Sequence, residues 1–349
     1  MTMNRWMWIG KAMVVAALGA FLIVGLAGAA MAREPGRVIK WLMERKVQQT
    51  PLPAGTVEKT IEHGGRTRRF YVHPPAGWDG TTPLPAVFFF HGGGGGGKHA
   101  LASYGLVEKA DDAGFLLVVP DGTGKIDGIL LTWNVKFGFG EAARADVDDG
   151  GFVTALIDQV ARDYPLDQDR LFATGMSNGG FLCHWLAARP DNRFAAIAPV
   201  VGSLGGRRQD QKDWQLPPTP VTPVSVLAIN GLLDQHVPLA GGLQKKSLET
   251  AAFMTSASQT MRFWVEANGC REPPEVAEEP AKGFTCWRWT GGRGGTEVVQ
   301  FVLHRQGHAW PGAKPQGRRQ ADPPDPDFAA NDLIWKFFAA HPRKREAFR

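Results

Sequence analysis

Three side chains that together could carry out acyl transfer stand far apart in this chain of 349 residues: Ser177, Asp234 and His308. Ser177 lies in LFATGMSNGG, Leu171 to Gly180, where a strand-like run ends in glycine and the helix-like FLCHWLAARP follows. The spacing Gly175-Met176-Ser177-Asn178-Gly179 is G-x-S-x-G, a pattern that presents a serine only between a strand and a helix. Glycines at its ends let backbone approach where a Cβ would clash. The hydroxyl would then stand clear of the strand, at the positive N-terminus of the next helix. The plainer alternative is a Gly-rich turn with a capping serine, and the flanking strand and helix weigh against it.

A hydroxyl is a weak nucleophile until a base takes its proton. The base candidate is His308 in RQGHAWPG, on a loop after the apolar run TEVVQFVLH; His304, inside that run, reads as structural. Asp234 in AINGLLDQHVP, just past another apolar run, is the candidate that orients the histidine, and His236 two residues on reads as a rim residue. Taken alone, Asp234 could be an ordinary turn aspartate. A developing oxyanion needs backbone N–H donors, and the tract HGGGGGGKHA offers them at Gly93 and Gly94, with the N–H of Asn178. The tract has neither the spacing nor the GKS/GKT ending of a nucleotide loop. His91, Trp133 and Trp310 are candidate substrate contacts, the two tryptophans as an aromatic wall; core packing is their alternative reading.

The elements that must position these residues alternate. VEKTIEH and RTRRFYVHPP read as paired strands across His63-Gly64-Gly65. PLPAVFFFH, FLLVVPDG, RLFATG, FAAIAPVVG, VSVLAING and TEVVQFVLH read as buried strands. Helices are expected over 100–114, from the capping aspartates of DVDDGG to before Pro165, after Ser177, over 248–269, and in FAANDLIWKFFAAHP. Strand alternating with helix this often implies an α/β fold, a mostly parallel central sheet covered by helices on both faces.

Composition narrows the class. At 44% hydrophobic the chain can bury a large core, and its 43 glycines and 25 prolines are dispersed, which means loops rather than disorder. The net charge of +5 is not gathered into a run that would trace nucleic acid. Arg5 and Lys11 precede AMVVAALGAFLIVGLAGAAMA, which ends in Ala30-Met31-Ala32. Residues 1–32 are therefore expected to be a cleaved export signal, or else a retained anchor and the one route to a membrane. Residues 33–56 read as a linker, 57–342 as one catalytic domain and 343–349 as a basic tail. With export, Cys270 and Cys286 are expected to close a short disulfide loop, with Cys183 a buried small hydrophobe. No cysteine or histidine spacing suits zinc, so no metal is expected.

The segments HGGGGG, VVPDG, TWN, VDDGGFVTALIDQVARDYPLDQDRLFATGMSNGGF, INGLLDQHVP and GHAWPG together resemble the polyhydroxybutyrate depolymerase/feruloyl esterase group of α/β-hydrolases, from about Val57 to Pro342. The resemblance implies an α/β-hydrolase fold and a secreted or periplasmic serine esterase without a cofactor, acting on hydroxyalkanoate, feruloyl or acetyl-type esters. It implies Ser177 as nucleophile, Asp234 as acid and His308 as base. Asn230 departs from it, since a histidine commonly precedes that glycine. A prolyl-oligopeptidase-type peptidase, which shares the triad, and a silent hydrolase-fold binding protein are the competing readings.

Overall fold

The computed structural model describes residues 50–126, 128–244, 251–314 and 322–344. The expected signal or anchor, residues 33–49 of the linker and residues 345–349 of the tail lie outside them. From Pro51 onward the described residues form one compact unit.

In chain order the elements are β1 (Val57–His63), β2 (Arg66–His73), β3 (Leu84–Phe90), α1 (Gly97–Ser103), α2 (Leu106–Ala113), β4 (Leu116–Pro120), α3 (Gly140–Arg144), α4 (Asp149–Asp163) and β5 (Leu166–Met176). Then come α5 (Asn178–Ala188), β6 (Ala196–Val200), β7 (Gly206–Arg208), β8 (Ser225–Gly231), β9 (Gly242–Leu243) and β10 (Ala252–Met254). The last are α6 (Ala257–Asn268), β11 (Glu275–Glu279), β12 (Phe284–Trp289), β13 (Val298–Leu303) and α7 (Ala330–Ala340).

The main sheet runs β1-β2-β4-β3-β5-β6-β8-β13-β12-β11. Its middle, from β4 to β13, is parallel, and both flanks are antiparallel. Strands β3, β4, β6 and β8 are buried at every position, which is why their sequences show no polar alternation. One core packs α4, α5 and α6 on one face of the sheet, and a second packs α1, α2 and α7 on the other. The first hairpin turns at Gly64 and Gly65, both at positive φ, as a two-residue connection requires.

Two expected helices differ in extent. The run over 100–114 is split at Gly105, whose φ of 65° is left-handed and starts a second helix. The run over 248–269 becomes helical only at Ala257. Ser256 accepts from the Gln259 N–H while the Gln259 side chain accepts from the Ser256 N–H, a reciprocal cap that sets the boundary. Just before it, β10 pairs with β7 and β9 in a small separate sheet. The hairpin of β11 and β12 was not anticipated; its prolines and glutamates hid a solvent-facing flank strand.

The expected disulfide is not formed: Cys183, Cys270 and Cys286 are all free. Register explains it. Cys286 sits within β12 opposite Ala277 and Phe301, with its side chain in the second core. Cys270 lies beside the far end of that strand, where the Arg271 N–H donates to Thr290 O. Thr290 follows Cys286 by four residue steps of extended chain, about 13 Å of rise, well beyond disulfide reach.

Candidate active site

Ser177 occupies the turn between β5 and α5, with φ 55° and ψ −119°, a positive φ that few non-glycine residues adopt. The turn is pinned from both sides. The Ser177 N–H donates to Val200 O and the Ser177 carbonyl accepts from the Phe181 N–H, each at 2.9 Å. The two motif glycines are needed because the end of β3 lies against them. A Cβ on Gly175 would come within 2.6 Å of Phe90 O, and one on Gly179 within 2.0 Å. Ser177 is left half-exposed.

Asp234 and His308 occupy the loops after β8 and β13, at the same sheet edge. His308 Nδ1 lies 2.7 Å from Asp234 Oδ2, and the Asp234 side chain is almost fully buried. An ionised carboxylate only accepts, so this contact places the ring proton on Nδ1 and leaves Nε2 with its lone pair. Asp234 Oδ1 accepts from the N–H groups of His236 and Val237, both at 2.8 Å, which fixes the carboxylate's orientation. The His308 N–H donates to Asp322 Oδ2, and the wholly buried Gln306 side chain bonds to the carbonyls of Gly307 and Ala309 on either side. Neither brace was singled out in the sequence: Gln306 stands two residues before His308 but its type announces no role, and Asp322 lies 14 residues away in a Pro-rich loop. The His236 ring lies beside His308, ring centroids 4.7 Å apart and planes tilted by 34°. His304 is bonded to Thr285 through Nε2. Among the described residues no hydrogen bond joins Ser177 to His308; in substrate-free enzymes catalytic hydrogen bonds are often long.

The glycine tract divides by use. The Gly94 N–H donates to Leu131 O at 2.8 Å, so Gly94 is corrected from an oxyanion donor to a structural tie. Gly93 sits under Phe139, where an added Cβ would be 2.4 Å from Cζ, and the neighbouring Gly92 position touches Ser177. Among the described residues neither the Gly93 nor the Asn178 backbone N–H has a partner. The three expected substrate contacts are corrected too. Trp133 and Trp310 are fully buried, one in each core, and His91 is only 1% exposed. The Trp310 indole donates to Asn331 and packs edge-on to Phe89. His91 accepts from the Gly122 N–H through Nε2, its Nδ1 lies 2.8 Å from Gly92 O, and burial lowers its pKa to about 4. It holds the loop rather than a ligand.

Trp133 braces both sides of the turn. Its N–H donates to Asn178 Oδ1 at 2.7 Å, its carbonyl accepts from Asn178 Nδ2 at 3.1 Å, and its indole donates to His91 O at 2.9 Å. The next residue, Asn134, donates its N–H to Asp149, which is ion-paired in the interior with Arg68 at 2.7 Å. Beside Gly94 opens a cleft of about 410 Å³ between Phe139, Ile129, Leu130 and Ile126, with Lys125 and Arg144 also lining it. No group of three or more His, Cys, Asp or Glu side chains capable of holding a metal occurs among the described residues.

Comparison with known proteins agrees with this architecture. The sequence profile of the prolyl oligopeptidase family matches residues 109–220. The chain is 28% identical over 198 residues to "Probable feruloyl esterase C" of Aspergillus niger, covering 57% of this chain and 60% of that protein. It is 28% identical over 198 residues to feruloyl esterase C of Emericella nidulans, with the same shares. The chain thus spans about three fifths of the length of these relatives. Among solved structures, an acetyl xylan esterase from Aspergillus awamori superposes with a TM-score of 0.54 at 12% identity, over 81% of this chain and 99% of that one. Esterase 2 of Thermogutta terrifontis does so with 0.52 at 15%, over 84% and 97%. Parallel sheet, glycine-flanked serine turn and these similarities together give the chain the α/β-hydrolase fold, with a sequence similar to feruloyl esterases.

Proposed function

We propose that the protein is an exported serine esterase that hydrolyses carboxylic esters through an acyl-enzyme. The observation that carries this reading is the 2.7 Å contact of His308 Nδ1 with a buried, oriented Asp234, on the sheet edge where Ser177 is held at positive φ. Ser177 Oγ attacks the ester carbonyl while His308 Nε2 takes its proton. The carbonyl oxygen, now negative, receives the N–H groups of Gly93 and Asn178. His308 then returns the proton to the leaving alcohol, and a water molecule repeats the sequence to release the acid. Asp234 accepts the Nδ1 proton in a hydrogen bond and holds the imidazole in place. The cleft beside Gly94 is the acyl pocket. Its apolar walls, Phe139, Ile129 and Leu130, suit an aromatic or short aliphatic acid, and the feruloyl and acetyl esters named for similar proteins supply such acids. Export rests on the N-terminal charges and the apolar run before Arg33.

The prolyl oligopeptidase match at residues 109–220 favours a second reading, a peptidase using the same triad. Parallel assays on p-nitrophenyl acetate, methyl ferulate and a panel of peptide anilides separate the two. The esterase reading expects turnover of the esters and none of the anilides, and anilide turnover exceeding ester turnover would replace it.

A further inference from the structure

A second concavity lies away from the serine turn, between α6 and the face of β12 and β13, with a volume of about 810 Å³. That is within the range of about 300–1,000 Å³ typical of small-molecule sites. Its construction follows from register. Trp287 and Trp289 are two residues apart on β12, so both indoles stand on one face. Gln300 of β13 lies directly opposite Trp287. Helix α6 covers the inner part of this face with Met261 and Val265, but the sheet continues outward past the helix and leaves the tryptophans half-exposed.

The lining is not simply apolar. The Trp289 indole donates to Glu272 Oε2 at 3.0 Å, which fixes that ring and leaves the second carboxylate oxygen toward solvent. Gln300, only 6% exposed, is held by its amide to Asn230 Oδ1 at 3.0 Å, so its carbonyl oxygen is positioned. The Trp287 indole N–H has no partner among the described residues. Across the groove stand Gln259 and Arg262 of α6.

We propose that this groove is a saccharide-binding subsite, which holds a sugar of the carbohydrate that bears the ester. The chemistry selects the occupant. A pyranose offers a flat C–H face to an indole and, at its rim, hydroxyl groups that donate as well as accept. Glu272 and the Gln300 carbonyl can only accept, and they need donors from the ligand. A hydroxyalkanoate chain offers ester oxygens that only accept, so it can meet the Trp287 N–H and Arg262 but leaves the buried Gln300 carbonyl unsatisfied, at a desolvation cost. A purely apolar partner would leave the Gln300 carbonyl and the Trp287 N–H stranded. The ester-hydrolase reading enters only in naming the ligand as part of the substrate.

Binding and turnover are therefore measured separately. The full chain carrying Ser177→Ala is titrated with xylotriose, cellotriose and a linear 3-hydroxybutyrate trimer, followed by tryptophan fluorescence and calorimetry. At least one trisaccharide is expected to bind, and the hydroxybutyrate trimer is not. Trp287→Ala and Glu272→Gln each weaken trisaccharide binding at least about fivefold, while Trp287→Phe, which keeps an aromatic face, retains most of it. With Ser177 intact, Trp287→Ala leaves p-nitrophenyl acetate turnover unchanged and lowers kcat/KM for a feruloylated trisaccharide by a similar factor. Absence of trisaccharide binding, preference for the hydroxybutyrate trimer, or equal binding by parent, Trp287→Ala and Glu272→Gln would each overturn the proposal. Saccharide binding by a chain that hydrolyses no ester would leave this site standing and remove the esterase reading alone.

Discussion

Trp133 is the residue on which both halves of the proposed oxyanion site converge. Its main chain clamps the Asn178 side chain, and its indole holds the carbonyl of His91 at the start of the glycine tract. Asn178 and Gly93 can present their N–H groups to one oxygen only if these two segments keep their spacing. Trp133→Phe preserves the ring in the core and deletes one hydrogen bond. The fold should therefore survive, at a cost of about 1 kcal/mol. Turnover should fall about tenfold with KM nearly unchanged, because a displaced donor acts on the transition state more than on bound ester. Steady-state kinetics on p-nitrophenyl acetate would show it. A rise in KM at constant kcat would instead return Trp133 to the substrate-contact role that its burial argues against.

Among the elements, the central parallel strands were the most legible, because complete burial writes itself as unbroken apolar runs such as AVFFF and LLVVP. The serine turn was legible for a related reason: close backbone approach admits only glycine at 175 and 179. Tertiary contacts decided what could not be read. Asp322 and Arg68 act through partners far away in sequence, and no local pattern announces them. β11 owes its existence to pairing with β12, whereas its own residues are mostly exposed. The cysteine pairing failed similarly, since two positions close in number were separated by the length of a strand. The N-terminal segment belongs at this scale too. Arg5, Lys11 and the small-residue site at Ala30-Met31-Ala32 predict that exported protein begins near Arg33. N-terminal sequencing of material from outside the cytoplasm tests this. Intact Met1 in a membrane fraction would make the segment an anchor.

For the molecule as a whole, two buried histidines make stability depend on pH. Burial lowers the pKa of His91 to about 4 and that of His184 to about 3, from 6.5. Both are therefore neutral in the folded chain where the unfolded chain already binds protons. Stability is fully present above about 6.5 and is lost as pH falls toward 4 and below, by up to about 1.4 kcal/mol per pH unit for each histidine. Urea unfolding at pH 7 and pH 5 should show this loss. His184→Gln, whose amide oxygen can still accept from the Trp264 indole, should remove about half of it. An unchanged pH slope in that variant would mean that His184 does not titrate between the two states. The central claim, that Ser177 is the nucleophile activated by the Asp234–His308 pair, is tested most directly by covalent trapping. Protein treated with diethyl p-nitrophenyl phosphate is digested and analysed by mass spectrometry. The account predicts one diethylphosphoryl group on the peptide containing Ser177, matched by loss of esterase activity, with labelling slowed at least about a thousandfold in His308→Ala. A label on another residue, or ester turnover that persists in Ser177→Ala at the parent rate, would contradict it.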